Sequence, residues 1–325
     1  MQALAKGRGE CKLKVYYLDH PHQYDKEEFP PHVLALGFFD GVHLGHRQVI
    51  GAARELARKE GMPLSVMTFD PHPSAVLGKG TRVIKYITPL QEKIKLVDAL
   101  GADQLFIVHF TEEFAKLLPQ EFVDQYIIGL NVKQVMAGFD YSYGRLGRGS
   151  METMPFHSRK QFTANTVEKH AVNGEKVSST KIREFLAQGR TEELPELLGR
   201  FYKTAGTVIH GEKRGRQLGF PTANIALGED FIYPATGVYA VKVLLHGSSY
   251  NGVCNVGYKP TFHDKKPDHP NVEVHIFDFD SSIYGESVEI EWHRRLRSEK
   301  KFGSLEELVA QIAKDKEEAK DYFSK

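Results

Sequence analysis

From about residue 13 to 188, short β-rich runs alternate with amphipathic stretches, the pattern that a parallel sheet with crossover helices requires. Val33–Leu36, Leu64–Phe69, Gln104–Val108, Gln134–Ala137 and Phe162–Val167 read as strands. Apolar positions recurring at helical spacing predict helices over Arg47–Lys59, Gln91–Leu100 and Gln120–Ile127. The expected fold is a doubly wound α/β domain of the Rossmann-like kind. Ser178–Gln188 closes it as a short helix, with serine at its start and Gly189 as its stop signal.

Beyond residue 200 the period shortens. Val238–Leu245, Val272–Phe277 and Val288–Trp292 are β-type runs punctuated by Gly, Pro and Asn, for which an antiparallel β-barrel is the simplest solution. The chain then ends on an amphipathic helix. Ser304 and Glu307 form a capping box, and Leu305, Leu308, Val309 and Ile312 share one face, expected to cover the barrel. The organisation expected is a domain over 13–188, a linker over 189–200 and a second domain over 201–325. Leu194, Leu197 and Leu198 predict a packed helical turn within that linker.

Length agrees with two cores, since 325 residues exceed what one usually supports. Lys and Arg number 43 against 42 Asp and Glu, so no global field steers nucleic acid or a membrane surface, and anions must be bound locally. No apolar run approaches the roughly eighteen residues that span a bilayer. The first residues lack the apolar centre of a signal peptide. Cys11 and Cys254 form neither a disulfide framework nor a zinc site. The expected setting is the cytoplasm and the expected partners are small molecules, not nucleic acid or membrane; the oligomeric state is left open.

The candidate chemistry falls into two groups. In LALGFFDGVHLGHRQVI a strand, a glycine-containing loop and a helix start follow one another, with His43 and His46 flanking Gly45. Helix-start amides attract phosphate and imidazoles donate to its oxygens. Read alone, these histidines equally suit capping, packing or a metal pair at i, i+3. Phe69-Asp70-Pro71-His72-Pro73 follows the next strand, where open α/β sheets place ligands. Gly138–Gly149 combines Asp140 with Tyr141 and Tyr143, suited to a flat heterocycle or simply to a turn. Val177–Leu186 offers Ser178, Ser179 and Thr180 at a helix start with Arg183 one turn on, a polyphosphate clamp or a capped helix.

Together these segments resemble the nucleotidyltransferase superfamily, and within it the N-terminal module of prokaryotic bifunctional FAD synthetases. The resemblance implies ATP contacts from Gly37, Phe38, Asp40, Gly45, Ser179 and Thr180, catalytic roles for His43, His46 and Arg183, and a flavin side at Asp140 and Tyr141. Tyr141 and Tyr143 stand where Phe is common in that family, which loosens the flavin contact.

The second group lies in Gly206–Ile225, where Gly211, Gly215 and Gly219 surround Lys213, Arg214 and Arg216. This suits phosphate or a solvated hairpin. Thr222 and Asn224, two residues apart in extended chain, point the same way and suit Mg²⁺. Asn271–Gly285 alternates like a half-buried strand, with Glu273, His275 and Phe277 on one face, and Glu273 is either a general base or a member of an ion pair. Residues 201–325 resemble the riboflavin kinase module through Gly215–Asn224, Gly237–Val241, Glu273–Phe279 with Tyr284-Gly285, and Leu296–Leu308. That resemblance implies ATP contacts at Gly211, Gly219 and Pro221, Mg²⁺ at Thr222 and Asn224, Glu273 as base, and Arg297 and Phe302 near the flavin. The implied activities are riboflavin to FMN in the C-terminal half and FMN to FAD in the N-terminal half, both with ATP and Mg²⁺.

Overall fold

The computed structural model describes residues 13–78, 84–172, 174–211, 215, 218–228, 230–258 and 270–325. The chain divides into two compact units, 1–84 with 88–177, and 85–87 with 178–325.

The first unit runs β1 (Lys14–Leu18), β2 (His32–Leu36), α1 (Leu44–Glu60), β3 (Leu64–Asp70), α2 (Pro73–Leu77), α3 (Leu90–Ala99), β4 (Gln104–His109), α4 (Pro119–Phe122) and β5 (Val132–Gly138). The short pair β6 (Ser142–Tyr143) and β7 (Gly149–Ser150), α5 (Met154–His157), β8 (Thr163–Val167) and the short pair β9 (Ala171–Val172) and β10 (Glu175–Lys176) follow. The main sheet is parallel in the order β1-β4-β3-β2-β5-β8. Every residue of β2 is buried, as a central parallel strand with both faces covered demands. Val33 and Ala35 pack with Ile50 and Ala53 of α1, whereas Leu34 and Leu36 pack on the opposite face with Phe122, Val123 and Tyr126. The doubly wound expectation holds.

Three local readings change. β1 is an edge strand whose Lys14 and Tyr17 face solvent, so its pattern is too mixed to stand out in the sequence. The helix expected over Gln120–Ile127 is a single α-turn continued as a π-helical segment, Val123–Ile128, which the 3.6-residue period alone does not signal. The stretch Ser178–Gln188 is helical as expected, as α6 (Ser179–Gln188), but groups with the second unit. There the Leu186 carbonyl accepts the Ala235 amide at 2.9 Å, and Arg295 Nη1 donates to the Gln188 carbonyl at 3.2 Å.

The second unit continues with α7 (Leu194–Leu198), then β11 (Tyr202–Ile209), β12 (Ala223–Leu227), β13 (Gly237–Leu245), β14 (Ser248–Gly257), β15 (Asn271–Ile276), β16 (Ser287–Arg297) and α8 (Leu305–Phe323). The six strands close an antiparallel barrel, β11-β12-β15-β14-β13-β16. Leu194 and Leu198 are fully buried, so the helical turn expected in the linker is a packed element. Ala319 of α8 packs on Ala240 and Phe277. Ser304 caps α8 by accepting the Glu307 amide, and the Glu307 carboxylate reaches back to the Gly303 amide at 3.0 Å instead of to Ser304. Leu305, expected on the covered face, is 57% exposed.

At the start of β2, buried His32 donates from Nδ1 to the Pro30 carbonyl at 3.0 Å, while its buried Nε2 has no partner. Burial pushes its pKa down to about 4. The fold therefore favours neutral imidazole: this contribution is complete above pH 6.5 and is lost as pH falls from 6.5 toward 4, by up to about 3 kcal/mol. Thermal melts across that range should show the first unit losing stability, and His32→Phe should flatten the dependence. An unchanged slope in a folded His32→Phe protein would assign the acid sensitivity elsewhere.

Candidate active sites

The strand order of the first sheet reverses at β2, because the chain steps from β2 outward to β3 and β4 on one side and later to β5 and β8 on the other. Ligands of open α/β sheets bind beyond the carboxyl ends of strands at such a point. The β2–α1 loop, residues 37–43, lies there. Phe39 (φ 56°) and Val42 (φ 40°) take left-handed backbone, which for a β-branched valine is uncommon and strained. A Cβ on Gly37 would stand 2.9 Å from the Phe39 ring, so glycine is what lets the loop fold back.

His43 is the N-cap of α1: its Nδ1 accepts the His46 amide at 3.3 Å, which leaves the proton of a neutral imidazole on Nε2. The two rings stack with centroids 3.5 Å apart. Gly45 fits against them, a Cβ there meeting the His43 ring at 3.3 Å. Desolvation first, then the nearby charges of His43, Lys93 and Lys176, hold the His46 pKa well below the usual histidine range. His46 is therefore neutral, and its buried Nδ1 has no protein partner. The two stacked imidazoles thus sit together at a helix start, where backbone amides and the positive end of the helix dipole converge.

The other residues singled out in this unit have definite places. The Phe38 ring meets His72 edge-on at 4.2 Å, and His72 caps α2 through Ser74. Asp40, 3% exposed, accepts the Thr88 amide at 3.0 Å and so fixes the loop from within. Asp140, on the turn after β5, forms an ion pair with Lys176 of β10. Tyr141 stacks on Tyr143, whose hydroxyl lies 2.8 Å from His157 Nδ1. Burial raises both tyrosine pKa values, so both are neutral phenols.

Lys93 lies outside every motif of the sequence. It is a lysine within the apolar stripe of α3, beside Leu90, Ile94 and Val97, and that position is the one signal the sequence carries of it.

Ser179, Thr180 and Arg183 open α6 in the second unit. Ser178 is the N-cap, accepting the Lys181 amide at 3.3 Å, and Arg183 Nη1 donates to the Lys85 carbonyl at 2.8 Å.

In the barrel, β12 and β15 set Asn224 directly opposite Glu273. Directly paired residues on antiparallel strands share a face, so the amide and the carboxylate are neighbours. Asn271 Nδ2 donates to the Glu273 carboxylate at 2.6 Å. The Pro221 carbonyl accepts from His275 Nδ1 at 2.8 Å, tying the segment before β12 to β15, and His275 Nε2 is buried without a partner. A Cβ at Gly211 would fall 2.0 Å from Asn224 Nδ2 and one at Gly215 3.2 Å from Thr222 Oγ1, so these glycines leave the room the two polar side chains occupy. Gly219 needs its glycine for another reason, a φ of 82°. Lys213, Arg214 and Arg216 lie outside the described residues, as does Cys11; Cys254 is buried in the barrel.

Arg297 is engaged inside the unit. Its Nε and Nη2 meet the carboxylate of Asp315 on α8 at 2.9 and 2.8 Å, with Asp315 2% exposed, and its guanidinium lies 5.7 Å from the Phe302 ring.

The arrangement has two parts: a Rossmann-like unit with a two-histidine loop at its switch point, and a barrel with hard oxygen donors beside a carboxylate. The sequence pattern of FAD synthetase matches residues 25–181 and that of riboflavin kinase residues 198–323. A Bacillus subtilis protein described as bifunctional riboflavin kinase/FMN adenylyltransferase is 51% identical over 96% of this chain and 99% of its own length. One of the same description from Listeria monocytogenes is 45% identical over the same shares. The chain belongs to the bifunctional riboflavin kinase/FMN adenylyltransferase family. A solved structure described as a macrolide-efflux protein from Streptococcus pneumoniae shares the fold with TM-score 0.83 and 33% identity, over 93% of this chain and 97% of that one. Among the described residues of this chain, no helix is long and apolar enough to cross a membrane.

Proposed function

We infer that the chain makes flavin cofactors in two ATP-dependent steps, riboflavin to FMN in the barrel unit and FMN to FAD in the Rossmann-like unit. The observation that carries this reading is the pairing, in one chain, of a stacked two-histidine loop at a sheet switch point with an Asn224–Glu273 cross-strand pair in a barrel. A reducing cytoplasm, where riboflavin and ATP meet, is its setting.

In the first step the ribityl 5′-hydroxyl attacks the γ-phosphorus of ATP, a new O–P bond forms and ADP leaves. Glu273 takes the hydroxyl proton. Thr222 and Asn224 would hold Mg²⁺, with the space kept by Gly211 and Gly215; the ion supplies neutralisation of phosphate charge. His275 keeps the Pro221 carbonyl in place, and Gly211, Gly219 and Pro221 border the nucleotide. Phe302 faces the flavin, with Arg297 holding that wall through Asp315.

In the second step a phosphate oxygen of FMN attacks the α-phosphorus of ATP, and pyrophosphate leaves. No protein nucleophile is needed. The Nε2–H of His43 and the ring of His46 stabilise the charge that develops on the α-phosphate. Gly37, Phe38, Asp40 and Gly45 shape the loop that receives the phosphates, and Ser179, Thr180 and Arg183 are the further nucleotide contacts that the family resemblance implies. Asp140 and Tyr141 form the flavin side. Purified protein incubated with riboflavin and Mg·ATP should yield FMN and then FAD on chromatography. A folded protein that forms neither product would overturn the reading.

The grouping of α6 with the barrel sets where the two activities separate. A fragment from Ser178 to the end keeps the Leu186–Ala235 and Gln188–Arg295 bonds and should make FMN. A fragment from Arg190 loses them, together with the buried Ile182, Phe185 and Leu186, and should melt several degrees lower. Equal melting temperatures for the two fragments would show that α6 contributes nothing to the barrel unit.

A further inference from the structure

Lys93 is the one lysine among the buried polar side chains of the described residues, 2% exposed in the core between α3 and the sheet. A buried ammonium is costly unless it is paired and fully hydrogen-bonded. Here Nζ donates to the Phe38 carbonyl at 3.0 Å and to Thr68 Oγ1 at 3.1 Å, while the Thr68 hydroxyl donates to that same carbonyl at 2.7 Å. It also lies 4.4 Å from the centre of the Phe38 ring. The negative charges of Asp40 and Asp70 act on it.

The position of that carbonyl matters. Phe38 immediately precedes the left-handed Phe39, and Val42, the second strained residue, leads directly into His43. Strained backbone persists only where its surroundings over-determine it. The loop is held at Phe38 by Lys93 and at Asp40 by the Thr88 amide. Nothing in the two-step chemistry above uses Lys93 directly.

We propose that Lys93 is a positioning residue for adenylyl transfer: its buried ammonium clamps the Phe38 carbonyl and so fixes the strained loop that aims His43 and His46 at the α-phosphate. The inference rests on the assignment of FAD formation to the first unit. Displacing a catalytic group by about 1 Å costs on the order of a hundredfold in rate, so a group that touches no substrate can still govern the reaction.

A purely structural lysine would leave no trace in the pH profile, whereas a clamp that depends on the ammonium does. Burial lowers the Lys93 pKa to about 8, against the upward pull of Asp40 and Asp70. The charged and titratable groups around it are Asp40 from the β2–α1 loop, Asp70 at the end of β3 and His46 on α1, with Lys176 of β10 acting in turn on His46; on α3 itself Glu92 is paired with Lys95. The ammonium is present below pH 8 and lost above it, so adenylylation should decline on the alkaline side.

The test compares kcat/KM for ATP in FAD formation from supplied FMN between pH 6.5 and 9.5, with FMN formation from riboflavin measured in the same samples. In the wild type the adenylylation limb should fall through about pH 8, approaching tenfold per pH unit, while the kinase profile shows no matching limb. Lys93→Met should lower adenylylation at pH 7 by about ten- to a hundredfold, remove the limb and leave FMN formation unchanged. A wild-type rate in Lys93→Met, or a reduced rate with the limb intact, overturns the proposal. If that variant does not fold, the wild-type profile decides, because an adenylylation rate constant from pH 7 to 9.5 overturns it as well. Wild-type protein that makes no FAD at any pH refutes the assignment of the activity itself, a different outcome from either.

Discussion

In Glu273→Gln, FMN formation is expected to fall by about two to four orders of magnitude, with ATP affinity little changed and supplied FMN still converted to FAD. The ribityl hydroxyl has little tendency to ionise at neutral pH, so a carboxylate that receives its proton late in transfer aids the reaction even though phosphoryl transfer needs little covalent chemistry. Glutamine keeps the size of the side chain and an oxygen that can accept from Asn271, but not the charge. The β12–β15 pairing keeps the residue opposite Asn224, so the substitution tests basicity and not placement. FAD formation in the same preparation guards against global misfolding. A kinase rate near wild type would make Glu273 an orienting residue.

His46→Ala should lower FAD formation by roughly a hundredfold or more, the scale of losing one transition-state donor, with FMN formation near normal. The side chain stacks on His43 and meets Phe39 edge-on at 5.3 Å, so its loss also loosens the loop. His46→Asn distinguishes the two effects, since an amide retains a donor without the ring. If adenylylation by both variants matches the wild type, His46 is a packing residue. Because burial and neighbouring cations hold His46 neutral, its contribution should not require protonation, and the rate should not rise as pH falls from 7 to 6.

The parallel sheet was legible because buried parallel strands are nearly continuous apolar runs, and Val33–Leu36 carries that signature with all four residues buried. The edge strand Lys14–Leu18 was not, since an edge faces water and its sequence looks like a loop's. β14 begins Ser248-Ser249-Tyr250-Asn251, whose polar side chains conceal a strand that only the closed barrel explains. The loop glycines and histidines were legible as motifs because one fold-back into one helix start keeps them close together in sequence. Pairings made across the fold were invisible. The engagement of Arg297 by Asp315 spans a strand and a helix, and the role of Lys93 depends on a carbonyl more than fifty residues away. The placement of α6 was hidden for the same reason: its caps define where the helix starts and stops but not which core receives Ile182 and Leu186.

Lys85–Ile87 belong to the second unit although most of their neighbours in sequence belong to the first. The Tyr86 amide donates to the Asp230 carbonyl at 2.6 Å and the Ile232 amide to the Tyr86 carbonyl at 3.1 Å, a short parallel bridge beside Phe231. The barrel unit is thus discontinuous along the gene. No single crossover can exchange it whole between relatives: a chimaera joined at Ser178 brings a foreign barrel to a resident Lys85–Ile87, and its melting temperature then turns on how well those three residues match the incoming 230–232 segment. Recombination in this family should therefore leave linked changes at two distant sites, one of them embedded in the coding sequence of the other activity.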